Sequence, residues 1–570
     1  MSDQQSAADA AFERLGKRYV DEAPGYSPVS ATWLGDHRYD DRLDEITVEA
    51  KQQKAAFCRG CLDELGPIPR EQLSRANRVD AAMLEHRLRA EVWHIEQLRE
   101  WTWNPMNYTG LAGSSIYTLM AREFAPLAER LNSAAARLEQ FPRMLEQVRA
   151  ILDPPRAPKV HATTAVKQNA GAIRIMEEFL TPHLDELPAP ERKRLEAAMR
   201  TARTAVEEHQ QWLEGELLPR AEGDFRIGAD LFDTKLAFAL NTPLSRADVR
   251  ERAESEMART RAEMYEVAAE VYCAEHPYTK LPASPSAEYR QAIIRAALEM
   301  AYAQRPDPER IVEQAREGLQ RVTDFVRDKD LVTLPPDPVE IIVMPEFRRG
   351  TSLAYCDSPG PLDVGQKTFY AIAPPPADWT DKQLRSLLRE YCLRSLENLT
   401  VHEAMPGHFL QLTHSNRYPS TLRAMLSSGT FIEGWAVYTE RMVGQAGLFE
   451  GDPLRRLIVQ KWYLRGIANA LMDQAIHVDG MTEQEAMELM IERTFQEERE
   501  AAGKWVRAQL TSAQLSTYFV GYLEHAALRK EVEAAWGDGF SLKRYHDTLL
   551  SFGSPTPRYV RALMLDLPIE

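Results

Sequence analysis

The sequence predicts a mainly α-helical protein with a small β-hairpin or sheet in its second half. Apolar residues recur at three- and four-residue spacing through most of the 570 residues, a pattern typical of amphipathic helices. Two short segments near residues 340 and 370 are instead apolar, β-branched and bounded by prolines, as strands are. A His-Glu pair followed by Pro-Gly and a second histidine stands out within the helical pattern after them.

Composition and charge argue against two classes of partner. The net charge of −16 lacks the basic excess that nucleic-acid binding normally demands. No apolar run approaches the ~18 residues that span a bilayer. The first residues show no basic segment followed by an apolar one, so no signal peptide is visible. We therefore expect a cytoplasmic protein without a nucleic-acid or membrane partner, whose oligomeric state the sequence leaves open.

The cysteine content indicates a reducing compartment. The chain has five cysteines, too few for a disulfide framework in 570 residues: Cys58, Cys61, Cys273, Cys356 and Cys392. Cys58 and Cys61 form an isolated C-x-x-C without a second pair, which is weak evidence for a redox or zinc site.

The first 330 residues predict helices. The periodic segments are 4–19, 47–65, 70–102, 121–152, 162–180, 189–215, 246–275, 286–305 and 307–329. Ser245 and the Asp307-Pro308 pair are typical helix starts, because a short polar side chain caps the first turn and proline suits its first position. We expect one helical unit whose two lobes would be residues 1–330 and a catalytic part, 331–570.

The pattern changes at the proline-rich segment 334–338. Residues 339–344 and 368–373 predict two strands joined by a polar loop that contains Arg348, Arg349 and Tyr355. An exposed strand edge binds an extended peptide by adding it as another strand, which would suit a peptidase. A hairpin that only packs against the helices is the alternative. Helices are then predicted at 381–415, from residue 428, and at 454–478, 482–500 and 512–536, with a capping box at residues 482–485.

The predicted helix 381–415 contains the candidate metal ligands His402 and His408. On an undisturbed helix, residues six apart point about 120° away from each other, so these histidines could not share an ion. Pro406 lacks an N–H and its ring clashes with the carbonyl of His402, and Gly407 tolerates the resulting backbone. We therefore expect a two-residue bulge that returns His408 to the face of His402.

A catalytic zinc takes three protein ligands and leaves one position for water. Glu433, at the start of the next helix, is the preferred third ligand, and Glu440 on nearly the same face is the alternative. Glu440 or Asp473 would otherwise fix the tautomer of a ligating histidine. One Zn²⁺ per chain is expected, although Mn²⁺ or Co²⁺ also suits such ligands.

Glu403 directly follows the first histidine and cannot reach the same ion from that face. It is therefore the candidate general base, which would take a proton from the activated water. The developing oxyanion needs a donor besides the metal, and His477, Tyr518 and Tyr355 are the candidates.

The block His-Glu-Ala-Met-Pro-Gly-His at 402–408, with Gln411 and the helix segment 433–440, resembles the bacterial domain-of-unknown-function family 885, which is grouped with zincin-like metallopeptidases. Residues 31–41, 473–480 and 516–521 are similar to further blocks of that family, so the resemblance covers most of the chain. It implies a helical zincin-like fold around a cleft, akin to thimet oligopeptidase and angiotensin-converting enzyme. It also implies a set of site residues: His402, His408 and Glu433 as zinc ligands, Glu403 as base, and His477 and Tyr518 as transition-state donors.

These observations predict a zinc-dependent hydrolase, most simply a peptidase that acts on short peptides. Arg348, Arg349 and Arg507 would hold a substrate's C-terminal carboxylate through charge-assisted hydrogen bonds, as in a carboxypeptidase or a dipeptidyl carboxypeptidase, with Tyr355 also contacting substrate. The alternatives are an amidase acting on a non-peptide substrate, and a non-catalytic protein that binds peptides or metal.

Overall fold

Helices make up most of the computed structural model, which describes residues 6–345, 353–376 and 379–569. Within that part of the chain, fourteen helices precede the sheet: α1 Ala7–Glu22, α2 Pro28–Leu34, α3 Val48–Leu65, α4 Arg75–Trp93, α5 Met106–Met120, α6 Leu127–Glu139, α7 Phe141–Ile151, α8 Lys159–Asn169, α9 Gly171–Phe179, α10 Ala189–Trp212, α11 Gly228–Leu240, α12 Arg246–Glu275, α13 Ala287–Tyr302 and α14 Ile311–Asp328. The prediction of a mainly α fold is confirmed.

Local capping explains where several of these helices begin. The hydroxyl of Ser245 accepts a hydrogen bond from the backbone N–H of Asp248, and the Asp248 carboxylate accepts one from the N–H of Ser245. The predicted start at Asp307 is wrong by four residues. Its carboxylate accepts a bond from the N–H of Glu309 in a turn, and the helix follows only from Ile311.

Before the sheet, three helices were not predicted (α2, α5 and α11), and the predicted helices 121–152 and 162–180 are each divided in two. Helix α5 is buried over most of its circumference, so it lacks the polar stripe that an amphipathic pattern requires. Helix α11, likewise missed, has an apolar sequence on average. The predicted helix 121–152 is divided into α6 and α7, with Pro142 in the first turn of α7, where a missing N–H costs nothing.

Three strands form one small mixed sheet: β1 Val339–Val343, β2 Ala354–Asp357 and β3 Thr368–Ile372. Their order is β1-β3-β2, with β1 parallel to β3 and β2 antiparallel to it. The predicted sheet is confirmed, but a hairpin of the two predicted strands is wrong because those strands run parallel. The missed strand β2 has only four residues, too few for an alternating pattern to show.

The remaining helices follow the sheet: α15 Asp381–Glu390, α16 Leu393–Glu403, α17 His408–Ser415, α18 Thr421–Met425, α19 Gly429–Val443, α20 Pro453–Gln474, α21 Glu483–Glu488, α22 Glu498–Leu510, α23 Ser516–Trp536, α24 Leu542–Leu550 and α25 Pro557–Leu565. The predicted helix 381–415 is thus three helices. The capping box at Thr482 and Glu485 is confirmed.

The largest hydrophobic core contains residues from Phe232 to Val560. Helices α11 to α14 therefore share a core with the sheet and the later helices, and α12 packs along α20. A second core, from Val29 to Ala221, belongs to the preceding helices. Along the chain the second core ends at Ala221 and the largest begins at Phe232, while the division into lobes at residue 330 stays a prediction.

Two further observations concern membrane-spanning helices and disulfides. In the described part of the chain, no helix is both long enough and apolar enough to cross a membrane. All five cysteines are free thiols, as expected from their small number.

Candidate metal centre

The helix that carries the two histidines is broken between them. Helix α16 ends at Glu403, and α17 begins at His408. Ala404 (φ −123°, ψ −82°) and Gly407 (φ −75°, ψ −129°) leave helical geometry, and the Met405–Pro406 peptide is cis. The predicted two-residue bulge is therefore wrong in form. Its expected consequence is present nonetheless, because the imidazole centroids of His402 and His408 lie 4.7 Å apart.

Hydrogen bonds and close packing hold this break. The N–H of Gly407 donates to the carbonyl of Val401 at 3.0 Å, and the indole N–H of Trp435 donates to the carbonyl of Pro406 at 2.9 Å. A Cβ at Gly407 would lie 1.9 Å from the carbonyl oxygen of His402. Glycine is required here because two stretches of backbone approach too closely for any side chain.

Glu433 on α19 completes a group of three potential ligands. Its Oε2 lies 3.5 Å from Nε2 of His408 and 3.9 Å from Nε2 of His402. One donor atom from each of the three residues falls within 4.8 Å of the others. Among the described residues, this is the one group of His, Cys, Asp and Glu side chains with such convergence.

Glu440 lies on the other side of His402. Its Oε1 is 2.7 Å from Nδ1 of the imidazole, and its Oε2 accepts a hydrogen bond from the amide of Asn398 at 2.8 Å. An N–H at Nδ1 donated to this carboxylate directs Nε2 towards Glu433. Burial lowers the pKa of His402, but Glu440, Glu403 and Glu433 outweigh that effect and raise it to about 9. Of the two predicted carboxylates, Glu433 meets the converging ring nitrogens and Glu440 orients one ring.

The donor set fits a metal ion. Oε2 of Glu433 is buried and has no hydrogen-bond partner among the described residues. A buried carboxylate oxygen without a partner is costly unless a cation or a donor meets it. Two imidazole nitrogens and one carboxylate oxygen are the ligands of many catalytic zinc sites.

Helix α19 is positioned by close contact with α23. A Cβ at Gly434 would lie 2.3 Å from the backbone of Gly521, and one at Gly521 would lie 2.2 Å from the carbonyl oxygen of Thr430. The two backbones therefore touch at this crossing. Glu433 and Tyr518, which flank the crossing on the two helices, line the same cavity as a result.

That cavity has a volume of about 540 Å³ and brings together most of the predicted site residues: His402, Glu403, His408, Glu433, Tyr355, Arg507 and Tyr518. Tyr355 and Cys356 enter it from β2, whose Asp357 is held by the hydroxyl of Tyr117 at 2.6 Å and by the guanidinium of Arg122 at 2.9 Å. Burial, with Glu403 and Asp357 adding to it, raises the pKa of the Cys356 thiol well above its ordinary value.

The hydroxyl of Tyr518 accepts hydrogen bonds from Arg507 at 3.3 Å and from the amide of Gln514 at 3.4 Å. Burial and the nearby Glu433 carboxylate raise the pKa of Tyr518, while Arg507 lowers it. The phenol therefore remains protonated near neutral pH and has a proton to donate.

His477 is not among the residues that line the cavity, and two further predicted residues cannot be placed. His477 is enclosed, with its Nε2 3.0 Å from the carbonyl oxygen of Ala508 and 2.7 Å from that of Thr511. The expectation of a transition-state donor there does not match this geometry, since the ring binds the end of α22 and is absent from the cavity wall. Arg348 and Arg349 lie outside the described residues.

Asp473, a candidate partner for a histidine, instead caps α23. Its carboxylate accepts hydrogen bonds from the N–H of Ala513 at 2.9 Å and from that of Ser516 at 3.2 Å. Burial raises its pKa to about 6, despite these bonds.

Sequence reasoning missed several charged residues of the cavity wall: Arg465 on α20 and Arg499, Glu500 and Lys504 on α22. On α22 their spacing is that of an ordinary solvated helix face, so the sequence contained no signal. On α20 a signal did exist, because Lys461 and Arg465 interrupt a segment that is otherwise largely apolar.

Comparison with known proteins identifies the family. A family model described as "Bacterial protein of unknown function (DUF885)" matches residues 28–564. The chain belongs to this family. No curated protein matches this DUF885 member.

Two solved structures are similar to this DUF885 protein. One, described as a "putative lipoprotein of unknown function" from Shewanella oneidensis, is 31% identical, with a TM-score of 0.80 over 97% of this chain and 99% of that one. Another, a "putative lipoprotein" from Colwellia psychrerythraea, is 18% identical, with a TM-score of 0.78 over 99% of this chain and 100% of that one. The second shows likeness of fold alone.

Proposed function

We propose that this DUF885 protein is a zinc-dependent peptidase with a zincin-like fold, which hydrolyses short peptides in the cavity beside α16 and α19. The observation that carries the proposal is the convergence of His402, His408 and the partnerless Glu433 oxygen in a cavity that also contains Glu403. Two imidazoles, a carboxylate and an adjacent second carboxylate are what metal-assisted hydrolysis requires.

Zinc held by His402, His408 and Glu433 would supply a Lewis acid that lowers the pKa of water and polarises the scissile carbonyl. Glu403 takes the proton of the attacking water as its oxygen bonds to the carbonyl carbon. The same carboxylate returns that proton to the amine nitrogen as the C–N bond breaks. The hydroxyl of Tyr518 donates a hydrogen bond to the developing oxyanion, a role that its raised pKa suits.

Strand β2 offers a way to hold the substrate backbone. It lies at an edge of the sheet, and in the described chain it pairs only with β3. Tyr355 and Cys356 of this strand line the cavity. An extended peptide added alongside β2 would be held by main-chain hydrogen bonds within reach of the histidines.

The proposal is tested with zinc-loaded protein and a library of short peptides, whose cleavage is followed by mass spectrometry. Zinc is expected to bind at one ion per chain, and Glu403→Gln to lower kcat by about 1,000-fold while it retains zinc. Glu397→Gln is the matched control. That carboxylate is also buried but pairs with Arg455 away from the cavity wall, so the variant keeps its activity. Full activity of Glu403→Gln, or protein that binds no zinc, contradicts the mechanism.

The cytoplasmic location expected from the sequence remains a prediction. The two similar structures are described as lipoproteins, a class that a lipid chain anchors to a membrane. Fractionation of the native cells, with detection in cytosolic and membrane fractions, checks it.

A further inference from the structure

One wall of the cavity carries more positive than negative side chains. Arg465 from α20 and Arg499, Lys504 and Arg507 from α22 line it, and Glu500 is the carboxylate among them. Four basic side chains against one carboxylate make this wall locally basic in a chain whose net charge is −16. The acidic residues Glu403, Glu433 and Glu440 lie at the metal-ligand end of the same cavity.

In the described chain, Arg465 is the one of these four cations that forms a close ion pair. Arg465 lies 3.3 Å from Glu500 and stacks on Trp462. Arg507 donates only to neutral groups in the described chain, Gln514 and Tyr518, both at 3.3 Å. Arg499 stacks on a tryptophan ring, with its guanidinium carbon 4.8 Å from the ring centre.

Lys504 is the least satisfied of the four. Its side chain is 9% exposed, and its nearest carboxylate oxygen, on Glu500, is 4.0 Å away, beyond hydrogen-bond distance. Burial and the neighbouring Arg507 lower the pKa of this amine to about 7, although Glu500 opposes them. A buried ammonium group without a hydrogen-bonded anion is costly, so a purely structural role would supply one.

Lys461, also buried and on the neighbouring helix α20, shows what such a structural role looks like. Its Nζ donates to the carboxylate of Glu390 at 2.7 Å and to the hydroxyl of Tyr302 at 2.9 Å. Those partners raise its pKa despite complete burial. Lys504 has no hydrogen-bonded carboxylate, and its pKa is lowered rather than raised. It also faces the cavity, as expected of a cation that binds an anionic ligand.

We propose that Lys504, together with Arg507 one helical turn along α22, binds the C-terminal carboxylate of the peptide substrate. This inference rests on the proposed function and narrows it to a peptidase that cuts close to the C-terminus. Arg507 is near enough to Glu433 for the two charges to influence each other, so the cationic wall begins beside the metal ligands. Each extended residue spans at most about 3.5 Å, so a carboxylate held in the same cavity keeps the scissile bond within a few residues of the C-terminus.

The test compares two peptide libraries that differ only at the C-terminus, one with free carboxylates and one with C-terminal amides. The free acids are expected to be cleaved with about 100-fold higher kcat/KM, at a fixed distance from the C-terminus, because a buried charge-assisted pair is lost in the amide. Lys504→Met should reduce that preference to less than about 10-fold. Lys382→Met is the control, since this exposed lysine on α15 pairs with Glu498 outside the cavity and should keep the preference.

Binding provides a second readout that does not need turnover. Zinc-loaded Glu403→Gln is titrated in a calorimeter with an N-acetylated tripeptide, its C-terminal amide and inorganic phosphate. If the acid binds more tightly than the amide, and the added substitution Lys504→Met removes this difference, the carboxylate site is supported. This holds even if no peptide is cleaved, in which case only the proposed hydrolysis fails. Equal binding of acid and amide, tighter binding of phosphate than of the acid, or cleavage without regard to the C-terminus overturns the inference.

Discussion

The carboxylate of Glu440 lies 2.7 Å from Nδ1 of His402, on the side of the imidazole opposite the Nε2 that faces Glu433. The two glutamates are seven residues apart on α19, so one helix face contacts both nitrogens of the same ring. This arrangement fixes both the tautomer of His402 and the direction of its Nε2. By spacing along the helix, Glu433 and Glu440 are equivalent candidates, but in the structure Glu433 faces the ring nitrogens and Glu440 orients the ring of His402.

Glu440→Gln is expected to weaken zinc affinity by about 10- to 100-fold, because an amide no longer stabilises the N–H tautomer as a carboxylate does. Competition with a chromophoric chelator measures the affinity. Glu397→Gln, which alters a buried carboxylate away from the cavity, should bind zinc like the unmodified protein. An affinity within twofold of the unmodified protein would show that the 2.7 Å contact does not orient the ligand.

Gly407→Ala is expected to destabilise the protein by about 3 kcal/mol or more, since its Cβ would meet the carbonyls of Val401 and His402 at 2.3 and 1.9 Å. The chain between the histidines would have to move, so zinc affinity should fall as well. Urea denaturation and zinc titration measure the two effects. Gly110→Ala in α5, where a Cβ meets nothing within 4 Å, should be neutral or slightly stabilising. Unchanged stability and zinc binding in Gly407→Ala would refute the tight approach.

Lys504→Met is expected to stabilise the protein, and more at pH 6 than at pH 10. The amine has a pKa of about 7 in the folded protein and an ordinary value of 10.5, so the unfolded chain holds the extra proton between those limits. The cost of the buried charge is therefore complete below pH 7 and is relieved as the pH rises towards 10.5. Arg507, Arg465, Glu500 and Glu390 are the charged groups that act on this amine.

Thermal unfolding of both proteins at the two pH values measures this effect. Lys382→Met should show a small difference from the unmodified protein that does not change with pH. If Lys504→Met were less stable at pH 6, the lysine would have a stabilising partner after all. A variant that gains stability as it loses preference for free C-termini would show that the charge is kept for binding.

His37 joins the N-terminal helices to the loop between β2 and β3. Its Nδ1 lies 3.0 Å from Asp40 and its Nε2 lies 3.2 Å from Asp363, while the ring stacks on Phe124. Burial lowers the pKa of this histidine, but the two carboxylates outweigh it and raise the pKa to about 9. The raised value means that the stabilisation is complete below pH 6.5 and is lost as the pH rises through about 9.

His37→Gln should therefore lower the unfolding midpoint at pH 6, and by much less at pH 10. Differential scanning calorimetry at both values tests this. His183→Gln, at an exposed histidine that pairs in the described chain with Glu186 three residues away, should have little effect at either pH. Equal losses at the two pH values would mean that packing on Phe124, rather than charge, accounts for the contribution of His37.

One feature of the site, the interruption between its two histidines, follows from residues that are neighbours in the sequence. Proline and glycine restrict the backbone wherever they occur, so the interruption between His402 and His408 was predictable from residues 406 and 407 alone. Whether the interruption is a bulge or a break was not, because the carbonyl of Pro406 is bound by Trp435, which lies 29 residues away in sequence. The role of segment 31–41 was likewise not predictable from the sequence, because the partner of His37 there, Asp363, lies 326 residues away in the chain.

His477, which was expected at the site, and Lys504, which was not, show the same limit from opposite sides. His477 is polar and close in sequence to Asp473, yet both serve the packing of α22 and α23 against α20. Lys504 resembled a solvated helix residue, yet it faces a cavity. A periodic pattern tells which face of a helix is polar. It does not tell whether that face meets water, another helix or a substrate.

The sequence by itself determined the helical class, the presence of a small sheet, the identity of the candidate ligands and the interruption between two of them. Each follows from propensity, periodicity or the covalent restrictions of neighbouring residues. The tertiary structure alone decided that Glu433 faces the ring nitrogens while Glu440 orients His402, that His477 is buried, and that α20 and α22 present a cationic wall. All of these features depend on how segments far apart in the chain pack together. The order of residues along one helix does not tell which residues of another helix it will contact.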